Sequence, residues 1–598
     1  MTKKAQLSVH SENILPIIKQ WLYSEKEIFL RELVSNATDA IQKRKILQTE
    51  KNSLPQTEPF RIDITTDSQK KTVTISDNGI GMSAEEVEKY IAQIAFSGAR
   101  EFMEKYRTDA SAIIGHFGLG FFSSYMVADR VEIQTLSYKE DAEPVFWSCD
   151  GSSEYSIDVG IRTKVGTDVI LYLGKEHEEF LEANQLHKLL RRYSPYLPFP
   201  IYLNNNQINT SEPLWVKNAS DISEKEALEF YRELYPFEPD PVFWLTLNID
   251  FPFAVKGVLF FPKITSQFDY AKTSLKLFCN RVFVSDNCKD LLPDYLTILR
   301  GAIDSPDIPL NVSRSHLQMD KNVRQLSSHI AKKIADHLLH RYQTDKETFI
   351  SQWKDLEPII KLGILQDEKF YERAKDFLIW KTSTGSWITL GEIASDGKKI
   401  FYTQLEKSPI LDIYHQKNLP VLFINHHIDT ALISFLERKQ SLSFQRIDGA
   451  IDESLLDSSR EKNLLDTDGR TESSKIADFV RASLSEPDLE VEAKSLSSDE
   501  LPAFILLKEE ERRLRDYMNL TQTSQKELPA KKTFVVNTNN NLIIKALQLK
   551  ALNPELATSL MRHLYQLSLL SQKELSSEEL QEFSHSSTKL LSQLSTLI

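Results

Sequence analysis

At 598 residues the chain is too long for one ordinary core, and domains of about 100–200 residues predict three or four units. Its 72 Lys and Arg against 85 Asp and Glu leave a formal net charge of −13, which gives no electrostatic footprint for nucleic acid or an anionic membrane. Three cysteines, Cys149, Cys279 and Cys288, are odd in number and at no metal-ligand spacing, so they read as small buried hydrophobes in a reducing, cytoplasmic compartment.

The N-terminus shows no signal-peptide apolar core, because Glu12 and Lys19 interrupt it. The longest apolar run, Ala110 to Ala128, contains His116, glycines and serines, and falls short of the roughly 20 unbroken apolar residues of a bilayer helix. Asn13 to Tyr23 reads as a short amphipathic helix with Pro16 in its first turn. The next stretch, Ser24 to Lys43, predicts a longer one, with Ser24 and Glu27 spaced for a capping box. At roughly 100° per residue, Phe29, Leu30, Leu33, Val34, Ala37, Ala40 and Ile41 share a broad apolar arc. Glu32, Asn36, Asp39 and Lys43 form a narrow polar stripe bordering it. On spacing alone such a stripe is most often a solvated helix face; the functional reading is one wall of a polar pocket or metal-phosphate site.

Phe60 to Asp67 and Lys71 to Asp77 alternate with period two and predict an antiparallel hairpin. The second strand runs into DNGIGM, Asp77 to Met82, where Gly79 and Gly81 permit a sharp turn and close approach of a flat ligand. A helical stretch from Ala84 to Tyr106 follows, broken at Ser97-Gly98, and then GHFGLGF, Gly115 to Phe121. Gly115, Gly118 and Gly120 leave backbone N–H groups free to cradle phosphate ahead of a helix over 121–127. This is neither a Walker A loop nor a dinucleotide fingerprint, since no Lys-Ser or Lys-Thr follows and the glycine spacing differs. Val165 to Leu173 predicts an apolar strand with Gly166 and Thr167 at its start.

Taken in order, a helix bearing Glu and Asn, D-x-G-x-G, a glycine-rich lid and Gly-Thr before a strand resemble the ATP-binding (GHKL or Bergerat) fold. That fold is shared by gyrase, the ninety-kilodalton heat-shock chaperones, histidine kinases and MutL. EIFLRELVSNATDA, DNGIGM, SGAREF and IIGHFGLGFFSSYMVADRV are similar to the bacterial branch of the ninety-kilodalton chaperones, Hsp90. The resemblance implies an N-terminal α/β sandwich with a mixed sheet over residues 1–205. It implies that Asp77 accepts the adenine amino group beside Thr167, Gly81 and Met82, and that Asn36 holds Mg²⁺. Glu32 would be the general base, Asp39 and Lys43 would line the adenine side, and Gly115, Phe117, Gly118, Gly120 and Phe121 would form the lid contacts. The chain departs from the common pattern at Tyr90, Phe96 and His116.

A polar run from Leu203 to Pro213 marks the first boundary. An α/β middle domain over 214–450 is expected, with strands in PVFWLTLNIDFPFAVKGVLFFPK and another in LKLFCNRVFVSD. Gly301 to Gln318 reads as a loop followed by the start of a helix. Its PLNVSRSHLQ resembles the catalytic loop of the same chaperones, which implies that Asn311, Arg314 and Gln318 approach the nucleotide. Thr246 stands where that family often has His. LPVLFINHHID predicts a buried strand on which the adjacent His426 and His427 face opposite ways, against a shared metal.

The acidic, serine-rich segment 450–475 suits a mobile hinge, and 472–598 reads as an α+β C-terminal dimerisation domain. It opens with a helix at KIADFVRASL, then an apolar segment becoming a charged helix at LPAFILLKEEERRLRDYM, then a strand and turn at KKTFVVNTNNNLI. Two helices are expected to close it, announced by Asn553-Pro554 and by Ser576 with Glu579. Leu556, Leu560, Leu564, Leu567 and Leu570 line one predicted face, and Leu590, Leu591 and Leu594 another, which predicts a helix bundle between two chains. The expectation is an α/β multidomain, ATP-hydrolysing homodimeric chaperone for unfolded or partly folded clients, using ATP and Mg²⁺, with no nucleic-acid or membrane partner. A DNA-acting ATPase of the gyrase or MutL kind and a histidine kinase are the alternatives. The first lacks a basic footprint, and the second has no room for a phosphoacceptor helix in the 23 residues before Ser24.

Overall fold

The computed structural model describes residues 25–51, 58–93, 114–115, 118–152, 154–209, 212–251, 253–264, 274–286, 288, 291–308, 321–394, 399–424, 428–460, 471–484, 486, 489–507, 531–572 and 575–595. They fall into two compact units, Met1–His337 and Leu338–Ile598. Phe96, His116, Phe117, Asn311, Arg314, Gln318, His426 and His427 lie outside the described residues, as do the first helix at 13–23 and most of the charged helix after Leu507.

The first unit is organised on an eight-stranded sheet, ordered β5-β4-β3-β6-β2-β1-β7-β8. Its strands are β1 (Ile62–Asp67), β2 (Thr72–Asp77), β3 (Ala128–Leu136), β4 (Val145–Cys149), β5 (Ser156–Val159), β6 (Gly166–Leu173), β7 (Ile201–Leu203) and β8 (Asn206–Gln207). The predicted β1–β2 hairpin is present, pairing Ile62 with Asp77. β1 also pairs in parallel with β7 while the other neighbours run antiparallel, so the sheet is mixed. Alternation puts Ile62, Ile64, Val73 and Ile75 on the covered face, each burial stabilising the fold by about 1.5–3 kcal/mol.

Helix α1 (Ile28–Lys51) covers that face. It starts later than the Ser24 signal suggests: Ser24 is outside the described residues, 26–27 form a turn, and Glu27 pairs with Arg192 at 3.6 Å. The predicted apolar arc is buried at Phe29, Leu30, Leu33, Val34, Ala37 and Ile41, and Phe29 meets Phe180 edge-on at 5.1 Å. Ser35 and Thr38, polar residues on the buried side, satisfy their hydroxyls by donating to the carbonyls of Arg31 and Val34. Of the helical stretch predicted after Met82, the described part is α2 (Ala84–Tyr90), closed by a Ser83–Glu86 capping box.

Two further expectations change in this unit. Residues Gly120–Met126 form a 3-10 helix rather than an α-helix, with Ser123 and Ser124 donating back to the carbonyls of Gly120 and Phe121. LKLFCNRVFVSD makes two strands, not one: Ser274–Cys279 and Val282–Ser285 form a hairpin whose Asn280 and Arg281 both take positive φ, the backbone a two-residue turn of this kind requires. That hairpin belongs to a five-stranded sheet with Phe243–Ile249, Val255–Phe261 and Arg300–Asp304. The last of these takes the first four residues of the predicted loop at Gly301 into the sheet. Tyr196, Trp215, Phe230 and Phe278 pack ring against ring, so one continuous core joins this sheet to the larger one across the expected boundary at 203–213.

The second unit has a parallel three-stranded sheet, Val421–Phe423, Ile400–Thr403 and Phe444–Arg446, the first being the strand expected in LPVLFINHHID. A second three-stranded sheet joins Glu490–Lys494, Lys532–Asn537 and Ala503–Leu507. Part of the expected hinge is packed: Leu455 is buried with Leu496, Phe504 and Val535, and Leu456 bridges to Leu496. Three helices, not two, close this unit. Asn541–Leu552 was hidden in an asparagine-rich run, and Asn540 caps it by accepting from Leu542 N. Asn553 caps Pro554–Ser571 as predicted, and Ser576 with Glu579 boxes Ser577–Ser595. The predicted leucine face is divided. Leu556 is buried and Leu564 enters the unit's own core with Met561 and Leu569, whereas Leu567, Leu570, Leu580 and Leu591 are exposed. Leu590 is buried.

Candidate active site

The strand register builds the first half of the site. β2 ends at Asp77 directly opposite Thr167 on β6, and both side chains are buried. The Gly79 N–H donates to Asp77 Oδ1 at 2.7 Å, while Oδ2 accepts nothing from a described residue. Burial pushes the Asp77 carboxyl up to about 7, against the opposing pull of that N–H and of the Arg162 charge. The following turn lies flat on α1: Ile80 N donates to Ala40 O at 3.1 Å, and Arg44 donates to Asn78 O at 2.7 Å. Only glycine fits at two of its positions. A Cβ on Gly79 would stand 2.5 Å from the Ala40 carbonyl carbon, and one on Gly81, at φ +60°, only 1.8 Å from Leu136 O. Met82 is half-buried, its N–H donating to Thr135 Oγ1, which also bonds Thr167 Oγ1 at 2.9 Å.

The second half is carried by the α1 stripe. Asp39 is buried, and its two oxygens accept the N–H groups of Ile114 and Gly115 at 2.7 Å each. It therefore anchors the start of the glycine-rich segment, a different placement from the adenine-side lining expected for it. Lys43, one turn on, is held below the ordinary lysine range by burial, with Asp39 and Glu86 opposing. Asn36 is exposed, and its Oδ1 lies 3.6 Å from where a Gly115 Cβ would be. Glu32 stands beside Gly120, where a Cβ would meet its Oε2 at 2.6 Å. Its other oxygen accepts both Nε and Nη2 of Arg31 at 3.2 and 2.9 Å. Arg31 is itself buried, with its guanidinium over the Tyr193 ring. Gly118 takes φ +64°.

The Phe121 ring is buried among Phe122, Tyr125 and Trp147, which leaves its backbone to serve a ligand. Sequence reasoning passed over Arg31, which bonds its own chain neighbour Glu32, and Thr135, Arg44 and Arg162, whose partners are brought close by folding and carry no local spacing signal. Tyr90, a departure from the common pattern, ends α2 with Lys89 over its ring at 5.3 Å.

Eight residues separate Glu32 from Ala40, about 12 Å along the helix at 1.5 Å per residue. The middle of α1 thus meets the glycine turn beside a buried acceptor, and its first turns present a carboxylate to the glycine-rich segment. Residues 203–596 match the family model described as Hsp90 protein, and residues 23–164 match that of the histidine kinase-, DNA gyrase B-, and HSP90-like ATPase. The chain belongs to the Hsp90 protein family. It is 39% identical over 588 residues to the chaperone protein HtpG of Porphyromonas gingivalis, covering 92% of this chain and 84% of that protein. For HtpG of Bacteroides thetaiotaomicron the figures are 38% over 595 residues, 93% and 86%. For the mitochondrial TNF receptor-associated protein 1 homolog of Dictyostelium discoideum they are 28% over 580 residues, 93% and 81%. This Hsp90 chain is an ATP-dependent chaperone with an N-terminal GHKL-type ATPase domain, and nothing in these likenesses favours a DNA-acting ATPase or a histidine kinase.

Proposed function

We propose that this Hsp90 chaperone binds ATP with adenine against Asp77 and the phosphates toward Glu32, and couples hydrolysis to closure of a homodimer around partly folded clients. The observation that carries the adenine assignment is Asp77 Oδ2, an acceptor on a buried carboxylate that no described residue satisfies. That oxygen is left open to a donor, and the adenine amino group supplies one. Thr167, Gly81 and Met82 flank it. At the other end Glu32 orients and deprotonates the attacking water, its Oε1 fixed by Arg31. Backbone N–H groups of Phe117, Gly118, Gly120 and Phe121 meet the phosphates, whereas the Gly115 N–H, expected to be free for them, is taken by Asp39.

Asn36 fits a Mg²⁺ ligand, since its exposed amide oxygen is a hard donor beside Gly115 and no described residue bonds that amide. Mg²⁺ at that point neutralises phosphate charge. Arg314, with Asn311 and Gln318, completes the γ-phosphate environment, by the likeness of their loop to the family's. Residues 1–205, 214–450 and 472–598 serve as ATP-binding, middle and dimerisation domains in a cytoplasmic protein. Dimerisation uses the exposed leucines Leu567, Leu570 and Leu591 of the last two helices. Among the described residues no helix is long and apolar enough to cross a membrane.

The test is ATP turnover by the full chain alone, with a chemically unfolded protein, and with DNA. Stimulation by the unfolded protein supports the reading; stimulation by DNA instead overturns it. Sedimentation of Leu567→Glu with Leu570→Glu examines the dimer: a wild-type protein that sediments as a dimer and a variant that sediments as a monomer support the leucine interface.

A further inference from the structure

Arg162, in the loop before β6, has a side chain only 13% exposed and a use for each guanidinium nitrogen. Nε donates to Lys164 O at 3.0 Å and Nη2 to the backbone oxygen of Asp77 at 2.8 Å, while Nη1 pairs with Asp168. Asp168 also accepts the Ser76 hydroxyl. Gly166 makes the approach possible, because a Cβ there would stand 2.1 Å from Asp77 O and 2.8 Å from Arg162 Nη2. The guanidinium is thus bolted to the peptide of the one residue whose carboxylate must stay an acceptor.

We propose that Arg162 is a positioning residue of the adenine site, fixing the Asp77 peptide and supplying the charge that keeps the Asp77 carboxylate ionised for an amino N–H donor. The proposal rests on the adenine reading of Asp77. Three charged groups act on that carboxylate: Arg162 from the β6 loop and Arg44 from α1 favour its ionised form, and Asp168 from β6 opposes it. Arg44 is held to the turn by Asn78 O and reaches the Asp77 carboxylate from the helix side. Lys164 and Glu58 pair with each other at the exposed edge. Burial is the largest influence on Asp77 and acts against the charge; with the carboxyl pushed up to about 7, small changes in the neighbouring charges decide its state near neutrality.

The sign follows from linkage. A carboxylate is needed to accept the amino hydrogen, so ligand affinity is full above the free protein's pKa and falls as pH drops through it. Adenosine is the probe, since it carries no phosphate to titrate in this range. Its affinity is measured by calorimetry from about pH 6 to 9 for wild type, Arg162→Gln, Arg162→Lys and Asp168→Asn, with Asp77→Asn alongside. Arg162→Gln is expected to move the onset of weakening up by about one pH unit, giving about tenfold weaker binding than Arg162→Lys at the acid end and convergence with Arg162→Lys at the alkaline end. Arg162→Lys restores the wild-type onset, with a uniform loss for the missing fork. Asp168→Asn moves the onset down, a direction that misfolding does not produce. An Arg162→Gln profile that overlies wild type, or one weaker by the same factor at every pH, overturns the proposal. Unchanged adenosine affinity in Asp77→Asn overturns the adenine reading instead.

Discussion

The two sides of the site that α1 joins are built from different materials. At the Ala40–Arg44 end the site is backbone: a strand terminus, a turn that tolerates only glycine at 79 and 81, and one buried carboxylate beneath it. On the side of the glycine-rich segment the work falls to side chains that reach across to glycines, with Asp39 gripping two N–H groups and Glu32 pressed against Gly120. Backbone geometry fixes the shape of a pocket for a flat base. Side chains on a helix can meet a segment that arrives from elsewhere in the chain. On the proposed reading recognition and hydrolysis are separable, and each substitution below tests that separation.

Glu32→Ala should have the largest effect, lowering turnover by about 10²–10⁴-fold while ATP affinity by calorimetry changes less than about threefold. Wild-type turnover in this variant would reduce Glu32 to a pocket wall. Asp77→Asn comes next, with about 100-fold weaker ATP binding, because a charge-assisted bond is lost and the amide can turn a donor toward a donor. Asp39→Asn is the smallest. Its Nδ2 cannot accept the second N–H of Ile114 and Gly115, so ATP affinity falls about tenfold, whereas adenosine, which does not reach that segment, binds as to wild type. Equal losses for both ligands would erase the distinction between the two ends.

The backbone end was the more legible in the sequence. Asp77-x-Gly79-x-Gly81 is a local pattern, and its strand was marked by alternation, so residue spacing alone located the turn. The α1 stripe was legible too, although its members proved unequal: Asp39 is buried in a structural grip and Asn36 is exposed, which periodicity does not distinguish. Phe121 was named as a lid contact by resemblance alone, which does not show that its ring is drawn into the aromatic core with Trp147. Arg162 carried no signal, since its partner Asp77 is 85 residues away and is met through a carbonyl. In the second unit, the helix at Asn541–Leu552 was masked by its asparagines, which signal a turn until one of them is seen to act as the cap.

The central claim is that base recognition resides at the Asp77 end and phosphate contact at the Asp39 end. Calorimetric titration of Asp77→Asn and Asp39→Asn with adenosine tests it most directly, because the ligand engages one end alone. The account predicts that Asp77→Asn loses adenosine binding and Asp39→Asn retains it within about twofold, inside the scatter expected of an interaction left untouched. Wild-type adenosine affinity in Asp77→Asn, or its loss in Asp39→Asn, would contradict it.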